Sequence, residues 1–202
     1  MTLQSPIENL IEPPPQFYRA SLLSLGVKSA AMKSLLSAGS NRVQELLTPS
    51  SALAAFNDPY RMIVLDGAVT PSAAAIRIRK WGLVEALARR IQSGNALLAC
   101  GESAISLGVG QLDGKVRGLG VIPSRIGRVP REYSAGVQTL DTHDQRVWFN
   151  HNYALLSSSS NCSFTYGDVH CVAFDPARSG AYGRTYVRRW LSSSTCVNEE
   201  AA

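Results

Sequence analysis

The run Asn95-Ala96-Leu97-Leu98-Ala99-Cys100-Gly101-Glu102-Ser103-Ala104-Ile105-Ser106-Leu107-Gly108 joins an apolar stretch of strand length to a Cys-Gly-Glu-Ser corner. A stretch able to continue as a helix follows. A tight strand-to-helix turn of this kind presents a side chain at its tip, with the N–H groups of the helix start beside it to hold an oxyanion. Cys100 and Ser103 are the nucleophile candidates of the corner, Glu102 is the carboxylate next to them, and His151 is a candidate base whose plainer role is that of a buried, hydrogen-bonded histidine. The plain alternative is a packed core thiol at a strand end, the commoner fate of a lone cysteine. His143 and His170 stand in no motif. The four cysteines (Cys100, Cys162, Cys171, Cys196) show no CxxC spacing and the three histidines no ligand pattern, so neither a metal nor another cofactor is expected.

The elements that must position this corner are read from periodicity and punctuation. Phe17 to Leu25 is a strand candidate closed by Gly26, and Val27 to Ala38 has helix-like spacing that ends before Gly39. Val43–Leu47 is a short strand. Thr48-Pro49-Ser50-Ser51 caps a brief helix in which Leu53, Ala54 and Phe56 are expected to face inward. Met62-Ile63-Val64-Leu65 is a continuous apolar run of buried-strand type. Beyond the Gly67–Pro71 loop, Ser72 is expected to cap a helix. Trp81 to Ile91 is clearly amphipathic, with Leu83, Val84, Leu87 and Ile91 on one face and Glu85, Arg89 and Arg90 on the other. Alternation of strand and helix up to the Cys-Gly-Glu-Ser corner implies an α/β domain with a mostly parallel sheet.

After Gly110 the pattern changes to short β-branched runs. Val116 to Pro130 holds such runs broken by Gly118, Gly120, Pro123 and Gly127, and Val137–Leu140, Val147–Leu156, Ser163–Tyr166 and His170–Phe174 are strand candidates, with Ser157–Ser160 as a polar turn. Gly180 to Leu191 is expected to form a final helix burying Tyr182, Tyr186, Val187 and Trp190. Residues 1–16, ending in Pro13-Pro14-Pro15, read as an extended leader, and 17–202 as one domain.

Composition limits the function classes. Of the 202 residues 45% are hydrophobic and 17% charged, a globular balance. The net charge of +5 comes from arginines spread along the chain without aromatic interleaving, so a solvated face is expected and nucleic acid is not. There is no charged-then-apolar leader and no apolar run near the ~20 residues that span a bilayer. The expected setting is a reducing cytoplasm with free thiols.

The ordered motifs resemble the class I (triad) glutamine amidotransferases, above all the glutaminase subunit of imidazole glycerol phosphate synthase. Ser24-Leu25-Gly26-Val27-Lys28-Ser29 is similar to that family's first glycine loop. Ile63-Val64-Leu65-Asp66-Gly67-Ala68-Val69 is similar to its apolar strand and Leu-Pro-Gly-Val-Gly loop, and Gly82-Leu83 to Gly94 to the helix that follows. Arg117-Gly118-Leu119-Gly120-Val121-Ile122-Pro123 resembles a Gly-Leu-Gly-Leu-Ile-Pro segment, and Trp148-Phe149-Asn150-His151-Asn152-Tyr153 a Phe-Val-His-Ser-Tyr strand. Phe174-Asp175-Pro176-Ala177-Arg178-Ser179-Gly180 resembles Phe-His-Pro-Glu-Lys-Ser-Gly. The resemblance spans roughly residues 17–192. It implies a three-layer, flavodoxin-like sheet with an added small antiparallel region.

The same resemblance implies a Cys–His–Glu triad, and here the chain departs from it. Asp175 stands at the histidine position and Ala177 at the glutamate position. An ionised carboxylate is a poor acid for departing ammonia, and alanine orients nothing. Without a gap Gly101 falls at the nucleophile; with one deletion Cys100 does. In either register the glycine two residues on is replaced, by Ser103 or Glu102, and the Pro-Gly of the oxyanion loop has become Asp66-Gly67. Losing such a triad removes catalysis on the order of a million-fold. The expectation is a pseudo-glutaminase that binds a cyclase or synthase partner, which is a (β/α)8 barrel by the family's habit. The alternative is an enzyme repurposed within a candidate pocket of Gly67, Cys100, Gly101, Glu102, Ser103, His151 and Asp175.

Overall fold

The computed structural model describes residues 19–38, 42–111, 115–129, 135–140, 145–156, 163–166, 169–172 and 174–193. The leader, His143 and the Ser157–Ser160 turn lie outside them. Five strands, β1 (Arg19–Ser24), β2 (Arg42–Glu45), β3 (Met62–Asp66), β4 (Leu97–Cys100) and β10 (Val169–Val172), run parallel in the order β2-β1-β3-β4-β10. An antiparallel strand, β9 (Ser163–Tyr166), closes the edge beyond β10. Two antiparallel ribbons are added, β5 (Arg125–Arg128) with β8 (Tyr153–Leu156) and β6 (Ala135–Leu140) with β7 (Gln145–Asn150). The expected strand Val147–Leu156 is therefore two strands, joined by a corner at His151-Asn152 and paired in different ribbons.

Side chains alternate across a strand, so a continuous apolar run has both faces to bury. Leu23, Ile63, Leu65, Leu97 and Ala99 face one layer, made by α2 (Pro49–Asn57), α3 (Pro71–Lys80), α4 (Val84–Gln92) and α5 (Gly101–Ile105). Leu22, Val64, Leu98, Cys100 and Val172 face the other, where α1 (Ala30–Ser37) contributes Met32 and Leu36 and α6 (Gly180–Ser193) contributes Val187, Trp190 and Leu191. The result is the expected three-layer α/β fold. In α6 Val187 and Trp190 are buried as expected, while Tyr182 and Tyr186 are half-buried and pack against Phe174 and each other.

Helix starts follow local chemistry. Thr48 and Ser51 form a reciprocal capping box ahead of Pro49. Ala52, Ala55 and Phe56 are the buried residues of α2, and Leu53 and Ala54 point outward, because the stripe follows the i, i+3, i+4 spacing from Ala52. Thr70, not Ser72, caps α3, accepting from the Ala73 N–H at 3.1 Å with Pro71 in the first turn. Ser72 instead accepts from the Arg117 N–H.

Arg90 reverses its expected orientation. It is 1% exposed, and its guanidinium donates to the carbonyls of Ala55, Phe56, Asp58, Arg61 and Ala96, the Phe56 and Asp58 contacts at 3.2 and 3.0 Å. These carbonyls belong to the end of α2, the turn into β3 and the approach to β4, so one side chain ties three chain segments together. A planar group with five donors is suited to this task. Burial pushes the Arg90 pKa down to about 10, which leaves it charged at neutral pH. Arg90→Met is expected to lower stability by about 3 kcal/mol through stranded carbonyls. Urea denaturation should show a lower midpoint with an unchanged slope; an unchanged midpoint would contradict this role.

Candidate functional site: the elbow after the fourth strand

Strand β4 ends at Cys100 in extended conformation (φ −121°, ψ 140°), and the chain turns at Gly101, whose φ is +52°. That left-handed value suits glycine and costs other L residues roughly 1–2 kcal/mol. Gly101 is thus the tip of the elbow. The helix that follows, α5, has only five residues. Its far end is wrapped by the Gly118–Ile122 segment, in which Leu119, Gly120 and Val121 donate to the carbonyls of Ser106, Gly108 and Leu107. A Cβ on Gly118 would lie 1.9 Å from the Gly108 carbonyl oxygen, so this wrap requires glycine.

Cys100 does not reach the corner. Its side chain is buried in the apolar layer with Leu22, Val64, Leu98 and Val172. Ser103 is fully buried, and its Oγ has no hydrogen-bond partner among the described residues. The groups gathered at the tip are Gly101, Glu102 and His151. A Cβ built on Gly101 would sit 2.9 Å from Cε1 and 3.1 Å from Nε2 of His151. His151 Nδ1 donates to Glu102 Oε1 at 3.1 Å, and each of the two side chains is only 10% exposed. A carboxylate oxygen accepts, so this hydrogen bond places a proton on Nδ1 of the ring. Neither Nε2 nor Glu102 Oε2 has a partner among the described residues.

Asp175 is used differently. Its Oδ1 accepts from the N–H groups of Ala177 and Arg178 (2.9 and 3.3 Å), and Arg178 Nε lies 3.4 Å from Oδ2. Its own N–H donates to the Trp148 carbonyl, and the Ser179 hydroxyl donates to its carbonyl at 2.6 Å. The carboxylate holds a turn together. Ala177 adds only its backbone N–H.

Gly67 (φ +73°) lies in a third place, at the end of β3. Val27 N–H donates to its carbonyl and Leu25 N–H to that of Asp66, which zips this loop onto the one after β1. A Cβ at Gly67 would be 2.3 Å from the Val27 carbonyl oxygen. Asp66, which carried no assigned role from sequence, accepts from Ser29 Oγ at 2.6 Å. Burial pushes its pKa up, the Ser29 and Gly67 hydrogen bonds oppose that, and the nearby charges of Asp175 and Arg178 act in opposite directions. No local signal joins Ser29 to Asp66, 37 residues away, or Glu102 to His151, 49 away. Among the described residues no three His, Cys, Asp or Glu side chains converge as metal ligands, and no helix is long and apolar enough to cross a membrane.

The three-layer α/β architecture is a class I glutamine amidotransferase-like fold. Solved structures share the fold. A glutamine amidotransferase superposes with a TM-score of 0.69 over 87% of this chain and 98% of its own, at 14% identity. A putative GMP synthase component from Thermoplasma acidophilum gives 0.61 over 91% and 96%, at 13% identity. No protein-family profile matches the chain. In sequence it is similar to the chloroplastic imidazole glycerol phosphate synthase hisHF of Arabidopsis thaliana, 26% identical over 182 residues, which covers 74% of this chain but 30% of that protein. It is also similar to imidazole glycerol phosphate synthase subunit HisH of Exiguobacterium sibiricum, 25% identical over 149 residues, covering 66% of this chain and 76% of that protein. The chain thus spans under a third of the plant relative.

Two outcomes check the site. Gly101→Ala should lose about 1–3 kcal/mol in denaturant melts, from the backbone and from the His151 ring together; a neutral result would remove the elbow from this position. For Asp66, a pKa raised by folding means that its stabilising contribution is complete below the unfolded value of about 4 and is lost as pH rises through the folded value. Asp66→Asn is therefore expected to gain melting temperature relative to wild type between about pH 4 and pH 7, and a gap that shrinks over that range contradicts the assignment.

Proposed function

We propose that this chain is a pseudo-glutaminase: an amidotransferase-like subunit that releases no ammonia from glutamine and is retained to bind a cyclase or synthase subunit. The observation that carries the reading is glycine at the elbow tip. Class I enzymes of this type place their cysteine nucleophile there, and Gly101 offers no side chain at all. This favours the ungapped register, with Cys100 as a core residue one position before the nucleophile. Asp175, which matches the family's histidine, is engaged in holding its own turn, and Ala177 has no side chain able to orient a base.

The partner half of the reading rests on kinship. One relative is named as a subunit of a synthase. The shared scaffold persists around a site without its reacting groups, which fits selection for docking rather than turnover. The runner-up, a repurposed enzyme with Cys100 or Ser103 as nucleophile, has less support, because both side chains are buried.

The test is ammonia release from glutamine by the full chain, alone and with a (β/α)8 cyclase subunit from the same source, with co-elution of the two chains measured in parallel. The expected result is a stable complex with glutaminase turnover about a million-fold below that of an intact triad. Robust ammonia release would overturn the pseudo-glutaminase assignment, and failure to co-elute would overturn the docking assignment.

A further inference from the structure

His151 stands at the corner where the chain passes from β7 to β8, that is, from one antiparallel ribbon to the other. The same corner is tied to the end of β5 by the Val129 N–H donating to the Asn152 carbonyl at 2.9 Å. The imidazole leaves this corner to lie against the Gly101 backbone, filling the volume in which an elbow side chain would begin. Glu102 meets the ring from the next residue along and takes its Nδ1–H. The arrangement has the parts of a ligand site: backbone without a Cβ at Gly101, a buried carboxylate that takes a ring N–H, and a second carboxylate oxygen, Glu102 Oε2, with no partner among the described residues. A buried polar atom of that kind is uncommon in native proteins and calls for an explanation.

We propose that the elbow is a binding slot for a planar azole bearing an N–H group, and that His151 is its intramolecular occupant. The recognition chemistry is one charge-assisted N–H···carboxylate bond to Glu102 and close contact of the Cε1 and Nε2 side of the ring with the bare backbone at Gly101. Because His151 is tethered, its local concentration at the slot far exceeds that of a free azole, so the native chain is closed to small ligands unless the corner moves. Occupancy by an outside ligand would free the His151-Asn152 corner and so reach the β5–β8 ribbon. The proposal rests on the elbow geometry alone and goes beyond the pseudo-glutaminase reading; it stands or fails whether or not a cyclase partner binds.

The experiment is cavity complementation in the full chain. His151→Gly is titrated with imidazole and followed by thermal shift and calorimetry. The expected result is a lowered melting temperature that imidazole restores saturably, with no shift for wild type. Adding Glu102→Gln should weaken imidazole binding at least about tenfold, since the charge-assisted acceptor is lost. No response of His151→Gly to imidazole, or an equal response in wild type, overturns the proposal. Should His151→Gly not fold, long-range proton–nitrogen spectra of the wild-type His151 ring decide instead. A protonated, hydrogen-bonded Nδ1 that shifts in Glu102→Gln supports the slot, and a ring insensitive to Glu102→Gln overturns it.

Discussion

The arrangement of the domain turns on the reversal at Gly101. β4 lies between β3 and β10, with its side chains buried in both layers, so the chain leaving it must change direction within one residue to start α5. A positive φ accomplishes that, and with an ordinary residue such a conformation stores strain that persists chiefly where function needs it. Glycine removes the strain and the side chain together. The imidazole of His151 then occupies the freed volume, which makes the glycine necessary twice over: once for its backbone and once for its missing Cβ.

Polar groups near the sheet ends are recruited to structure. Arg90 gathers five carbonyls, Asp175 caps its own turn, and Asp66 with Ser29 helps fasten the loops after β1 and β3. In open α/β sheets the crevice at the carboxyl ends of the strands is where ligands usually sit. Here the loops that border it after β1 and β3 are stitched by the Leu25–Asp66 and Val27–Gly67 hydrogen bonds.

Much of the scaffold is legible in the sequence, because buried parallel strands write themselves as uninterrupted apolar runs; Met62–Leu65 and the apolar stretch before the Cys-Gly-Glu-Ser corner are read that way and fall in β3 and β4. The Gly-Leu-Gly-Val-Ile-Pro segment is also legible, and the clash at Gly118 supplies its physical reason. What escapes is tertiary. Arg90 occupies a polar helical position by periodicity and is buried because carbonyls 29 to 35 residues earlier take its donors. Thr70 takes the cap expected of Ser72, since Pro71 fixes the first turn one residue earlier. The Cys-Gly-Glu-Ser corner is recognised as an elbow, but only backbone geometry puts Gly101 at its tip and turns Cys100 into the core.

A buried, inert thiol is therefore predicted at position 100. Its most direct test is intact-mass analysis of the full chain after incubation with an electrophilic glutamine analogue that alkylates amidotransferase nucleophiles. The predicted result is no adduct at Cys100 in the folded protein, with labelling appearing only after unfolding. A stoichiometric adduct on native Cys100, protected by free glutamine, would contradict it.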